Sequence, residues 1–198
     1  MDLDKAIQNR HSVRKYKEDL VTLKQISLLL DAAAHSPSSG NLQDTRFIVV
    51  NNKEKNNKIA EASLGQYWMN TAPVFIVICS DISRLKTYFK DRAENYSLQN
   101  SAASAMLISL KAVDLGLATC WVNVFDQNAV SRVLNIRDST LPQIILTIGY
   151  ESEKPLKKLS HIPLKRIVSF NKHGDRVINE KEWSKERYFD KLKKLLSK

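Results

Sequence analysis

Apolar positions along this chain follow two rhythms, a spacing of three to four residues and short unbroken runs, and the two alternate. Leu23, Ile26, Leu29, Leu30, Ala33 and Ala34 recur at helical spacing and make one stripe. Immediately before them, Thr22 and Gln25 match a capping box, in which both side chains satisfy N–H groups of the first turn. A helix is predicted to start there and to end at SPSSG (36–40), whose Pro, Gly and serines favour a loop. RFIVV (46–50) and PVFIVIC (73–79) are compact β-branched runs that read as buried strands, with a polar helix over 53–62 between them. A long helix is predicted over 92–115, with Ala102, Ala105, Met106, Ser109, Leu110 and Val113 on one face and Gly116 as its stop. A strand over 118–124, a short helix capped by Asp126 and running to Leu134, and a further strand over 143–150 complete the alternation.

That order predicts one α/β-type sheet domain, and the length of 198 residues suits a single hydrophobic core. Beyond Tyr150 the chain turns polar and basic, offers a short apolar run near Ile167, and ends in a predicted amphipathic helix over 180–196. The expected division is a domain over 1–170 with a basic arm over 171–198. Five Gly, five Pro and apolar residues throughout exclude collagen-like and disordered classes. The longest apolar run, 72–79, falls far short of the roughly 20 residues that cross a bilayer. No charged-then-apolar leader opens the sequence, so a cytoplasmic protein is expected.

Cys79 and Cys120 lie inside apolar runs with no CxxC spacing and read as buried thiols. The four histidines show no HExxH and no i,i+4 pair, so no metal is expected. Thirty-one Lys and Arg against 21 Asp and Glu give +10, enough to attract phosphates, anionic cofactors or nucleic acid.

Three segments carry candidate chemistry. RHSVR (10–14) places two guanidiniums four residues apart with a hydroxyl between them. Such a group clamps a phosphate, since each charge-assisted hydrogen bond is worth about 1.5–3 kcal/mol; the bland reading is a solvated helix end. SPSSGNLQ (36–43) offers small donors that suit a planar heterocycle and a polyol chain, or an ordinary turn. GLATCWVNVFD (116–126) presents Trp121 and Asn123 near the end of an apolar strand, where a Trp is most often core.

In order and spacing, RHSVRKY, SPSSGNLQ running into RFIVV, APVFIVIC, GLATCWVNVFD and TIGYESEKP resemble the nitroreductase family of flavin enzymes over about residues 5–170. The resemblance implies an α/β (α+β) three-layer sandwich, a mixed, mainly antiparallel sheet flanked by helices. It implies a homodimer that binds FMN in sites shared between subunits, with the long helix packing across the dimer. By the same resemblance, Arg10, Ser12 and Arg14 contact the phosphate and ribityl chain, and His11 lends mainly its backbone. Pro37, Ser38, Ser39 and Asn41 are the loop that meets the flavin from the other subunit, and Gln66 stands where a polar side chain reaches the ring edge. Trp121, Val122 and Asn123 lie along the isoalloxazine, chiefly through their backbone. His161, in LSHIP (159–163), stands where the family usually has Arg, which leaves His161, Lys157 or Lys158 to complete the phosphate site.

The implied reaction passes a hydride from NADH or NADPH through flavin N5 to a nitro, quinone or similar acceptor in a ping-pong cycle. No catalytic side chain is required, and none is named. The missing GxGxxG fits a nicotinamide that binds over the flavin instead of in a Rossmann crevice. Two alternatives stay open: another reaction on the same fold, such as dehalogenation, dehydrogenation or flavin cleavage, or nucleic-acid binding through the lysine-rich 185–198.

Overall fold

Strand β2 (Val74–Asp81) is buried at every position but its last because helices cover both faces of the sheet. Its odd and even residues therefore enter different cores. Val74, Ile76 and Ile78 meet Ile26, Leu29 and Ala33 of α2 (Leu23–Ala34) and Ala105, Ile108 and Ala112 of α5 (Ala93–Asp114). Phe75, Val77 and Cys79 meet Ile59 and Ala60 of α3 (Lys53–Ala62) and Val130 of α6 (Gln127–Leu134). The result is the three-layer sandwich expected above, and a continuous apolar run is what burial on two faces demands.

The computed structural model describes residues 2–153 and 162–175. Residues 1–154 form one compact unit and 155–198 a second. In the first, the sheet order is β1-β2-β4-β3, with β1 Thr45–Val50, β3 Ala118–Val122 and β4 Thr140–Gly149, and every neighbouring pair is antiparallel. The parallel component among the described residues is the isolated bridge Ser12↔Thr119 on the outer edge of β3. A register shift between Ile78 and Cys79 passes Pro142 into the ladder at a bulge, where a residue without an N–H is tolerated. In the second unit, α7 (Leu164–Ile167) is a single turn, followed by a bend closed by Phe170 N–H to the Asp175 carbonyl at 2.7 Å.

The α2 cap forms as read: the Gln25 N–H donates to Thr22 Oγ1 at 3.2 Å, and the Thr22 N–H to Gln25 Oε1 at 3.0 Å, a motif worth about 1 kcal/mol. Leu23 departs from its predicted stripe and is 81% exposed. The face expected for α5 is also rotated. Ala105 and Ser109 are buried, but Ala102, Leu110 and Val113 are half-buried and Met106 is 43% exposed, while Ser97, Asn100, Ser101 and Ser104 turn inward. Two helices frame β2 and the amino terminus: α4 (Ile82–Phe89), which the pattern did not announce, and α1 (Leu3–Asn9), which packs on α5.

Both cysteines are free and buried, and burial pushes the Cys79 thiol up to about 12. Among the described residues no helix is long and apolar enough to cross a membrane, and no cluster of His, Cys, Asp or Glu is arranged to hold a metal. His161, Lys157, Lys158 and the helix expected over 180–196 lie outside the described residues.

Candidate active site

The chain from Arg10 to Lys17 is laced to the edge of the sheet, and the lacing decides what its side chains face. The Val13 N–H donates to the Thr119 carbonyl at 3.0 Å, the Lys17 N–H to the Tyr150 carbonyl at 2.8 Å and the Ser152 N–H to the Lys15 carbonyl at 3.1 Å. Val13 and Tyr16 are buried, whereas Ser12 and Arg14 are exposed. The Tyr16 hydroxyl donates to the Val13 carbonyl at 2.8 Å and shares a hydrogen bond of 2.7 Å with Thr147 Oγ1; burial pushes the phenol pKa up. The Tyr16 ring comes so near β4 that a Cβ on Gly149 would sit 2.8 Å from it and from Pro73.

Arg14 lies over the Trp68 ring, 5.7 Å from its centroid. Among the described residues no ion pair joins Arg10 or Arg14 to a carboxylate. The half-buried Arg10 and the exposed Arg14 and Ser12 thus bring two guanidiniums and a hydroxyl to one stretch. His11 contributes a side chain as well as backbone, its two ring nitrogens facing the Asn9 carbonyl and Glu151 Oε1, each at 2.7 Å. Desolvation pulls its pKa down, but hydrogen bonds to Glu151 and Asn9 and the Glu151 charge outweigh that and hold it above its ordinary value.

Gln66, half-buried, precedes a 3₁₀ turn over Tyr67–Thr71, and the turn reaches the arginine segment through Trp68 and through the Tyr16 N–H, which donates to Thr71 Oγ1 at 3.3 Å. In that turn Asn70 Oδ1 is buried without a partner among the described residues. The sequence reading missed it; the available signal was an amide two residues after Trp68 in the turn that feeds a buried strand. Trp121 is half-buried against the α2/α5 core, Val122 points into the opposite core with its backbone paired to Ile145, and Asn123 is exposed just past the strand end. Arg10, His11, Ser12, Arg14, Gln66 and the 121–123 stretch therefore share the β3 side of the molecule.

The serine-rich loop is elsewhere. Thr45, just after it, pairs with Ser80, which pairs with Leu141 at the start of β4, whereas Ser12 bridges Thr119, which pairs with Ile148 near the end of β4. At ~3.4 Å per residue and ~4.8 Å per strand, the two segments lie roughly 20 Å apart along the strands and about 19 Å across them. The loop itself is tightly built. Gly40, Asn41 and Gln43 take positive φ, the Gln43 N–H donates to Ser38 Oγ at 2.9 Å, and Ser36 Oγ meets Ser104 Oγ at 2.7 Å. Pro37 and Asn41 are exposed; Ser38 and Ser39 are half-buried.

These groups fit a phosphorylated flavin: guanidiniums that among the described residues pair with no carboxylate, and a hydroxyl, for an anionic tail, and a buried carbonyl oxygen without a partner among those residues for a ring N–H. The comparisons with known proteins agree. The model described as "Nitroreductase family" matches residues 7–68 and 63–150. A Methanothermobacter thermautotrophicus protein named "Putative NADH dehydrogenase/NAD(P)H nitroreductase" is 31% identical over 159 residues, 78% of this chain and 80% of its own length. The "FMN reductase [NAD(P)H]" of Bacillus subtilis is 26% identical, covering 90% of this chain and 75% of its own. A solved structure, an FMN-dependent nitroreductase from Clostridium difficile R20291, superposes with a TM-score of 0.72 at 27% identity, over 84% of this chain and 98% of that one. With its arginine segment, serine-rich loop and central strands all inside the matched span, the chain belongs to the nitroreductase family.

Proposed function

We propose that this protein is an FMN-dependent NAD(P)H oxidoreductase that works as a homodimer, each active site taking one wall from either chain. One observation carries the reading. Within a single chain the guanidinium segment and the serine-rich loop stand at opposite ends and opposite edges of the sheet, too far apart to wall one ligand. A second copy related by a two-fold axis supplies each half with its complement. Exposed apolar side chains on α1 and α5, Leu3 at 62%, Ile7 at 53%, Leu98 at 50% and Met106 at 43%, support burial of that face between copies. The names of the relatives, FMN reductase and NAD(P)H nitroreductase among them, support the cofactor and the reductant.

Arg10 and Arg14 would bind the phosphate, and Ser12 the adjoining polyol. Asn70 Oδ1 and Gln66 would orient the ring edge from the β3 side. Pro37, Ser38, Ser39 and Asn41 would close the ring from the neighbouring chain, while the backbone of Trp121, Val122 and Asn123 lies along it. The chemistry that bound FMN supplies is hydride storage at N5, which lets NADH or NADPH and a nitro, quinone or similar acceptor react in turn, a ping-pong cycle. The protein's residues hold no proton for the reaction, which explains a site rich in donors and poor in bases. The two free thiols support a cytoplasmic setting.

Reconstitution tests the reading. Purified protein titrated with FMN should bind one flavin per chain, have that flavin bleached by one equivalent of NADH or NADPH without air, and turn over further only when an acceptor is present. A protein that stays colourless in excess FMN contradicts it.

A further inference from the structure

Asp44 is fully buried at the entry to β1, and among the described residues no cation pairs with it. Its acceptor oxygens are met by neutral donors instead. The Ser80 hydroxyl donates to Oδ2, and Asn100 Nδ2, from α5, donates to Oδ1 at 2.6 Å. The Asp44 carbonyl also accepts the Asp81 N–H at 2.8 Å, so the residue ties β1 to the end of β2 through its backbone as well. Asn100 is buried too, and its Oδ1 accepts both the N–H and the hydroxyl of Ser39, each at 3.0 Å.

This chain of bonds has a direction. An amide side chain can turn over, exchanging its oxygen and its nitrogen. Asp44 forbids the exchange at Asn100, because a flipped amide would set two acceptor oxygens face to face and point Nδ2 at the Ser39 N–H. With Asn100 fixed, both protons of Ser39 are drawn inward, and its hydroxyl keeps only lone pairs for a ligand. Ser38 is the reverse: its oxygen already accepts the Gln43 N–H, so its hydroxyl proton is what remains to give. The loop thus offers a donor and an acceptor side by side, a pattern complementary to a heterocycle edge that carries a carbonyl next to an N–H.

We infer that Asp44, acting through Asn100, is a positioning residue that sets the hydrogen-bonding polarity of the serine-rich loop toward the flavin ring. The inference rests on the reading of that loop as the ring-facing wall. It assigns a role to two residues set behind the loop, and it explains why a carboxylate and an amide are buried where neither helps to pack a core.

The test exploits the direction of the bonds. Asn100→Asp sets one carboxylate against another, whereas the exchange Asp44→Asn with Asn100→Asp restores a donor toward position 100 and an acceptor toward Ser39. Two readouts are needed, amide hydrogen exchange of Ser39 in the FMN-free protein and FMN affinity by fluorescence quenching. Asn100→Asp should speed exchange at Ser39 and weaken FMN about tenfold or more, and the exchanged pair should return both to near the parent's values. If Asn100→Asp does not fold, the exchanged pair decides: a folded pair that binds FMN like the parent supports the inference, and one that has lost FMN overturns it. An Asn100→Asp protein that folds and binds FMN as tightly as the parent also overturns it. A parent protein that takes up no FMN removes the proposed function itself, and this inference falls with it.

Discussion

His11 and Glu151 stand 140 residues apart in sequence, yet the imidazole Nε2 lies 2.7 Å from the Glu151 carboxylate, which joins the arginine segment to the chain leaving β4. Lys15 pairs with Glu153 one step further along, and the backbone bridge Tyr16↔Glu151 runs between them. The end of the sheet therefore holds the position from which Arg10 and Arg14 project.

The pair makes that anchorage depend on pH. Because the folded state raises the His11 pKa, the contribution is complete below the unfolded value near 6.5 and fades as pH rises through the folded pKa. Both partners are partly exposed, so the effect on stability should be small, within the roughly 0–1 kcal/mol of accessible pairs. An NMR titration of His11 should give a pKa above the ordinary range, falling in Glu151→Gln. A value that does not move shows that the carboxylate is not its cause.

Arg10→Ala and Arg14→Ala should each weaken FMN by about 10- to 100-fold, the loss of one charge-assisted contact of about 1.5–3 kcal/mol. Thermal melts of the FMN-free protein should barely shift, since among the described residues neither guanidinium is paired with a carboxylate. Calorimetric FMN titration alongside the melts checks both halves.

Gly149→Ala should destabilise the fold by about 1–3 kcal/mol, the usual range for overpacking. The added carbon would meet the Tyr16 ring and Pro73 at 2.8 Å, and neither can yield without disturbing the arginine segment or the turn before β2. Urea unfolding measures it, and an unchanged midpoint would show that the contact relaxes freely.

Ile7→Glu with Met106→Glu should convert dimers to monomers and release the flavin together. Both positions are exposed in the single chain, so the substitutions leave its core intact. Sedimentation followed at a flavin wavelength reads both effects in one experiment.

Much of this architecture is legible in the sequence because burial on two faces writes unbroken apolar runs, as in β2, and because the Thr22–Gln25 box declares a helix start. Where the reading slips, polarity is the reason. Helix α5 buries Ser97, Asn100, Ser101 and Ser104, a face that no hydrophobic pattern reveals, and leaves Met106 outside. Asp44 looks like a loop residue until Ser80 and Asn100 are seen around it. Helix α4 follows β2 with no Gly or Pro between them, so nothing punctuates its start. The resemblance supplied the arginine segment and the serine-rich loop as parts of one site; their separation within a chain belongs to the sheet order, which local patterns do not carry.

Complementation between two defective chains tests the shared site most directly. One chain carries Arg10→Ala with Arg14→Ala, the other a serine-rich loop disabled by Ser38→Ala, Ser39→Ala and Asn41→Ala; each alone should bind little FMN. If each site takes one wall from either subunit, unfolding the two together and refolding them as a mixture should recover about a quarter of the parent's FMN capacity, since random pairing makes half the dimers mixed and each mixed dimer keeps one intact site. A mixture that binds no more FMN than its parts would place both walls in the same chain and contradict the account.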